Sequence, residues 1–156
     1  KVGSFDAVIT MFNAIGHLSK KDFAKALKNI SENLSENGIY IFDIFNLNAM
    51  TDKVVEDLKM DQKFEIKNDK IQQIQYSRLD RKNAILTSYD NYKIKDKSGK
   101  IKEIDNSFDL QIYPFRELEK ILTENSFKVL GLHDIYGKEF AEDKSLNMLV
   151  LAQKLN

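Results

Sequence analysis

The sequence has no cysteine and no tryptophan, and only one proline and two histidines in 156 residues. Without cysteine there can be no disulfide framework, no thiolate nucleophile and no cysteine-ligated metal, a composition typical of a reducing cytoplasm. The two histidines, His17 and His133, lie far apart in the chain, so no metal-binding spacing is present. We therefore expect no metal site and a cytoplasmic location.

An excess of charge of one sign is also lacking, because 24 Lys and Arg residues balance 24 Asp and Glu residues. This balance gives no electrostatic reason to expect nucleic acid or an anionic membrane as a partner. No apolar run approaches the roughly 18 residues of a membrane-spanning helix, and no segment resembles a signal peptide. The apolar share of 42% is typical of a globular domain with its own core.

Glycine is sparse, with six residues, and no two of them have the spacing of a G-x-G-x-x-G motif or a Walker loop. Loops of these two kinds hold the phosphates of nucleotides through their backbone N–H groups. The sequence therefore excludes such a phosphate cradle within this chain. A nucleotide-like ligand would need a glycine-rich loop from elsewhere.

Two nearly continuous apolar runs dominate the first 60 residues, FDAVITMF at 5–12 and IYIFDIF at 39–45. Runs of this kind are typical of parallel strands that are covered on both faces. Between them, residues 20–34 place apolar side chains at helical spacing. The pattern predicts a right-handed βαβ unit.

Local signals predict where this helix begins and ends. Ser19 and Asp22 have the spacing of a capping box at its start. Asn37 and Gly38 predict its end, with the glycine in the left-handed conformation. A further short helix is predicted over residues 47–58.

Residues 61–112 have a different character, because three turn-like clusters separate segments with partial alternation of apolar and polar residues. This pattern predicts a four-stranded antiparallel insertion with one wet face. The predicted strands lie within 63–66, 71–79, 84–94 and 101–113. Aromatic residues in this region either cover a pocket or an interface, or are ordinary cross-strand pairs; they are Tyr76, Tyr89, Tyr92, Phe108 and Tyr113.

After Pro114 the sequence predicts a helix over 115–125 and two last strands over 127–136 and 146–154. Together the elements predict an α/β fold in a single domain. Its α/β core comprises residues 1–60 and 113–156, and the antiparallel insertion comprises residues 61–112.

Candidate site residues lie at the carboxyl ends of the two predicted parallel strands. The carboxyl ends of such strands are where open α/β sheets bind ligands, which brings Asn13, His17, Asp43 and Asn46 to one edge. His17 could act as a general base or orient a ligand, or it could simply help the loop enter its helix. Asp43 fits a loop-capping carboxylate, and His133 fits a structural role. Met11 and Phe12 could be core residues or an apolar wall beside a ligand.

These stretches resemble the C-terminal two-thirds of a class I S-adenosylmethionine-dependent methyltransferase, and are closest to the small-molecule N-methyltransferases. The matching stretches are FDAVITMFNAIGHL, ALKNISENLSENGIYIFDIFN, YPFRELEKILTENSFKVLGLHDIYG and NMLVLAQK. The resemblance implies a Rossmann-like sheet that retains the family's fourth, fifth, seventh and sixth strands in that order (4-5-7-6). It also implies S-adenosylmethionine as cofactor and a small-molecule methyl acceptor.

By the same resemblance, Met11, Phe12 and Asn13 would border the cofactor, and His17, Asp43 and Asn46 would face the acceptor, with His17 as the catalytic candidate. The family's first three strands and glycine-rich loop have no counterpart here. The resemblance therefore implies an incomplete cofactor site, an isolated chain without activity, and an opening strand with an exposed apolar edge. It also implies a homodimer through the insertion or that edge. The alternative is a non-catalytic methyltransferase-like module; a reductase lacks any supporting motif.

Overall fold

The computed structural model describes residues 1–155, which fall into two compact units. One unit comprises Lys1–Met50 with Gln111–Asn156, and the other comprises Thr51–Leu110. The chain thus leaves the first unit after Met50 and returns to it at Gln111. The description of residues 61–112 as an insertion within a single domain stays a prediction.

The first unit is built on a mixed four-stranded sheet of β1 (Phe5–Thr10), β2 (Leu34–Phe45), β7 (Phe127–His133) and β8 (Asn147–Lys154). Their order across the sheet is β1-β2-β8-β7. β1 and β2 are parallel, and β8 is antiparallel to both of its neighbours. With β7 and β8 in the places expected for the sixth and seventh strands, the predicted 4-5-7-6 order is confirmed. The helices of this unit are α1 (Lys20–Asn33) and α3 (Phe115–Glu124).

Aromatic side chains join the helices of this unit to its sheet. Phe23 of α1 is fully buried and meets the ring of Phe42 on β2 edge-on, with centroids 5.9 Å apart. The ring of Tyr40, also on β2, stacks on Phe42 at 4.7 Å. α3 adds the buried Leu118 and Leu122 to the same cluster. Each such side chain contributes about 1.5–3 kcal/mol through burial, so this cluster fixes β2 at the centre of the unit.

The start of α1 is as predicted, but its end is not. The Ser19 hydroxyl accepts a hydrogen bond from the Asp22 N–H at 3.1 Å, which caps the helix. The helix ends at Asn33 and Leu34 already opens β2, because Leu34 is extended and buried in the core. The left-handed residue is Asn37, with φ of 59°, rather than Gly38. Asparagine tolerates this conformation better than most residues do.

The predicted helix over residues 47–58 is broken in two. A 3₁₀ turn spans Leu47–Ala49, and α2 spans Asp52–Asp57. The side chain of Met50 is buried between them, and Thr51 caps α2 by accepting a hydrogen bond from the Val54 N–H at 3.2 Å. A new cap at Thr51 ends the first turn before it can continue as one helix.

The second unit contains the predicted antiparallel sheet, which has four strands in sequential order. Helix α2 packs against its second strand. Among residues 1–155, no helix combines the length and the apolar character needed to cross a membrane. The strands are β3 (Met60–Ile66), β4 (Asp69–Asp80), β5 (Ile85–Lys95) and β6 (Ile101–Gln111).

The opening strand β1 lies at the edge of its sheet, where β2 is its neighbour. Val8 packs against the core, whereas Phe5 and Ile9, on the opposite face, are 47% and 61% exposed. The prediction of a strand covered on both faces is therefore met by β2 but not by β1. The expected exposed apolar edge is present.

Candidate functional site

The candidate site begins with an unusual turn at the carboxyl end of β1. Phe12 and Asn13 are consecutive left-handed residues, with φ of 63° and 54°. For a bulky side chain this conformation costs about 1–2 kcal/mol. The Phe12 side chain is 95% exposed, so packing within the chain does not offset that cost. A strained and exposed aromatic residue at a strand end points to a role outside the core.

Asp43 holds this turn against the end of β2. Asp43 is only 3% exposed, and the backbone N–H of Asn13 donates to both of its carboxylate oxygens, at 3.1 Å and 3.2 Å. The side-chain oxygen of Asn13 accepts in turn from the Phe45 N–H at 3.0 Å. Since the two strands are parallel neighbours with Thr10 opposite Phe42, these bonds fix both strand ends in one rigid edge. Asp43 thus acts as the loop-capping carboxylate expected from its position.

The side-chain amide nitrogen of Asn13, Nδ2, is unpaired, in contrast to its backbone nitrogen. It is buried and has no hydrogen-bond partner among residues 1–155. A Cβ on Gly16 would lie 2.6 Å from this nitrogen, so a larger residue there would displace the Asn13 side chain. Buried donors are nearly always paired in native structures, and an unpaired one at a strand end is a candidate ligand contact.

His17 ends the 3₁₀ turn Ala14–His17 that follows Asn13, and its side chain is exposed. Met11, between β1 and the strained turn, is half-buried. The structure therefore brings the predicted residues Met11, Phe12, Asn13 and His17 into one short loop, with Asp43 beneath it. This is the edge at which open α/β sheets bind ligands.

Asn46 has a different environment from the other candidates. Its side chain is fully buried, and its amide nitrogen donates to the backbone oxygens of Glu142 and Ser145, at 2.7 Å and 2.9 Å. Its side-chain oxygen accepts from the Asn48 N–H at 3.1 Å. The chain's own backbone thus uses this side chain to tie the end of β2 to the loop before β8.

The aromatic residues of the insertion form a cross-strand pair rather than one cluster. Tyr76 and Tyr89 stack with centroids 4.9 Å apart, and the Arg78 guanidinium lies 5.8 Å and 5.7 Å from the two rings. Tyr113 belongs to the core of the first unit, where burial raises the pKa of its hydroxyl. Within residues 1–155, no group of three or more His, Asp or Glu side chains could hold a metal ion.

Two features of the structure were not anticipated from the sequence. One is the close contact of Gly16 with Asn13, and the other is a pair of buried polar residues on β5, Ser88 and Asp90. The signal for the second was present in β5, where leucine, serine and aspartate alternate with more exposed residues. An aspartate at a covered position of that alternation marks the strand as unusual.

No protein-family model matches this sequence, and no curated protein is detectably similar to it in sequence. Solved structures do match, over essentially the whole chain. An S-adenosylmethionine-dependent methyltransferase from Clostridium acetobutylicum matches with a TM-score of 0.77 at 18% identity, over 100% of this chain and 61% of its own. A sugar N-methyltransferase from Streptoalloteichus matches with a TM-score of 0.75 at 13% identity, over 99% of this chain and 58% of its own.

A third structure, an amino pentose methyltransferase from Micromonospora echinaspora with bound S-adenosylmethionine, has a TM-score of 0.71 at 13% identity. It matches over 99% of this chain and 60% of its own. The chain has the fold of the C-terminal part of S-adenosylmethionine-dependent methyltransferases, as its sequence motifs predicted. It spans about three-fifths of the length of these relatives.

Proposed function

We propose that this chain is the C-terminal part of an S-adenosylmethionine-dependent methyltransferase that acts on a small molecule. The observation that carries the proposal is the strained turn at Phe12 and Asn13, which Asp43 fixes at the carboxyl ends of two parallel strands. This turn lies in a fold that matches solved structures of that class over 99–100% of this chain. A ligand-binding role explains why an exposed phenylalanine is held in a costly conformation.

The residues of this loop fit one side of the methyl donor. The unpaired side-chain amide nitrogen of Asn13 is a donor suited to a carboxylate or hydroxyl oxygen of the ligand. Phe12 and Met11 offer apolar surface beside it. S-adenosylmethionine, when bound, supplies an electrophilic methyl group on a sulfonium. The chain would contribute mainly alignment of the reacting groups, while the glycine-rich side of the donor site would come from sequence outside this chain.

The acceptor side of the site would be organised by His17, Asp43 and Asn46. His17 is exposed in the turn, where its imidazole would orient the acceptor or take up its proton. Asp43 would act by holding the loop, and Asn46 by holding the end of β2. Two relatives are named for methylation of amino or sugar groups, which favours an amine on a small hydroxylated molecule as acceptor. The cytoplasmic location stays a prediction.

Calorimetric titration with S-adenosylmethionine tests this proposal directly. The chain of residues 1–156 should bind the donor weakly or not at all, because the chain supplies only one side of its site. The product of the complete reading frame should bind it with micromolar affinity and methylate a small amine. Micromolar binding by the isolated chain would contradict the predicted incomplete site, and failure of the complete product to bind would overturn the proposed function.

Substitution of Phe12 by glycine should separate stability from function. Glycine adopts positive φ freely and the exposed ring makes little packing contact, so the free energy of unfolding of the chain should rise by about 1 kcal/mol. The donor affinity of the complete product should fall by about tenfold. Phe12→Ala is the matched control, since it removes the ring but keeps the strain. A destabilised Phe12→Gly chain with unchanged donor affinity would show that the ring serves the fold.

The alternative of a non-catalytic module is favoured by one observation, the exposed apolar face of β1. Phe5, Ala7 and Ile9 share this face, and all three are exposed. A second copy of the chain could cover it and form a homodimer. Light scattering that finds a stable dimer, together with a complete reading frame that begins at residue 1, would favour the module over the enzyme.

A further inference from the structure

Only one asparagine in the chain is followed by glycine, in the pair Asn37–Gly38 near the start of β2. Asn37 is exposed, and its backbone is left-handed, with φ of 59°. Its backbone oxygen accepts a hydrogen bond from the Gln153 side-chain amide at 3.2 Å, whereas its own side-chain amide has no hydrogen-bond partner among residues 1–155. The amide carbon of Asn37, Cγ, is therefore open to chemical attack.

The pairing of β2 with its neighbours is interrupted at this point. Phe5 lies opposite Leu34, but Ala7 lies opposite Ile39, so residues 35–38 of β2 lie opposite a single residue of β1. On the other side of β2, the register with β8 begins at Ile39. A segment that bulges out of a ladder opens locally more easily than a paired strand does. The peptide between Asn37 and Gly38 can therefore rotate without unfolding of the sheet.

Gly38 supplies the second requirement, an accessible backbone nitrogen. Without a Cβ, glycine leaves its nitrogen unshielded and lets the backbone adopt conformations that other residues avoid. That nitrogen is joined to the backbone carbonyl of Asn37, so its attack on Cγ of the same residue closes a five-membered ring. No other asparagine in the sequence combines these properties with a glycine neighbour.

We propose that Asn37–Gly38 is a site of spontaneous deamidation, a modification that proceeds without an enzyme and is independent of the proposed function. The Gly38 nitrogen gives its proton to a base in solution and forms a bond to Cγ of Asn37, while the side-chain nitrogen takes up a proton and leaves as ammonia. Water then opens the cyclic imide at either carbonyl. Opening at Cγ gives aspartate, and opening at the backbone carbonyl gives isoaspartate. The net change is hydrolysis of a carboxamide, with no oxidation or reduction.

The two products differ in their effect on the fold. Aspartate adds a negative charge but keeps the backbone. In isoaspartate the main chain runs through Cβ and Cγ and is longer by one atom, and the oxygen that accepts from Gln153 becomes part of a free carboxylate. Gly38 is buried, and a Cβ on it would lie 3.0 Å from the Ser35 backbone oxygen, so the extra atom has little room. The isoaspartate form should unfold at lower urea concentration than Asn37→Asp.

Incubation of the 156-residue chain in mildly alkaline buffer, followed by peptide mapping with mass spectrometry, tests the proposal. The peptide that contains Asn37 should gain the mass that accompanies exchange of NH2 for OH and should separate into two products. The intact chain should acquire a more acidic form on ion exchange. Asn68 is the internal control, because it is also exposed and left-handed, with φ of 72°, but is followed by Asp69. It should remain unconverted over the same period.

Two variants complete the test. Asn37→Asp has no amide to lose and tolerates the left-handed conformation, so it should coelute with one product of the aged parent chain. Asn37→Gln keeps the carboxamide but requires a larger ring, and it should form no acidic species. A synthetic peptide of residues 32–42 gives the reaction without the fold. Conversion of this peptide but not of the folded chain would overturn the proposal, because the turn would then protect the pair. Equal conversion at Asn68, or an acidic form of Asn37→Gln, would also overturn it.

Discussion

Replacement of Phe23 by alanine should lower the free energy of unfolding of the first unit by about 3–5 kcal/mol. The ring is fully buried and contacts two other aromatic rings, with centroids 5.9 Å from Phe42 and 6.0 Å from Tyr113. Its loss leaves a cavity between α1 and the centre of the sheet, and the close-packed surroundings can fill such a cavity only in part. This is the largest stability effect that we expect from a single substitution.

Urea denaturation followed by circular dichroism measures this change. Phe5→Ala is the matched control, because the same residue type on β1 is 47% exposed and should cost less than about 1 kcal/mol. Similar losses for the two variants would show that α1 is not packed on the sheet as described. The comparison thus tests the core on which the candidate site is built.

Replacement of Asp43 by alanine should release the strained turn. The Asn13 N–H would lose both of its acceptor oxygens in a buried position, which costs about 1–3 kcal/mol. Amide hydrogen exchange at Asn13 should therefore accelerate by about tenfold to a hundredfold. In the complete gene product, donor affinity should fall in parallel, because Phe12 would no longer be held in place.

Asp43→Asn is the control for this experiment, because it retains one acceptor oxygen at the same position. Its exchange rate at Asn13 should lie between those of the parent chain and Asp43→Ala. Unchanged protection at Asn13 in the alanine variant would mean that the carboxylate does not hold the turn. In that case the positioning role of Asp43 in the proposed site would be wrong.

The order of the strands in the sheet of the first unit could be predicted, because it follows from the apolar runs and the helices between them. The apolar runs at 5–12 and 39–45, with a helix between them, permit little other than a parallel pair. The closing helix and strands gave the rest of the 4-5-7-6 order by resemblance. The ends of helices and strands are harder to predict, because local stop signals compete with the burial of nearby side chains. Gly38 looked like the helix stop, but burial of Leu34 in the core ended α1 earlier.

The candidate site could likewise be predicted only in part. The sequence by itself determined that Asn13, His17 and Asp43 lie at the carboxyl ends of neighbouring strands, because strand order decides which ends meet. Only the tertiary structure showed that Asp43 binds the backbone of Asn13, that Phe12 is strained and exposed, and that Asn46 is engaged with the backbone. It also placed Asp90 on a covered sheet face. These facts depend on side-chain contacts between residues far apart in the chain, whereas sequence patterns report mainly which face of an element is buried.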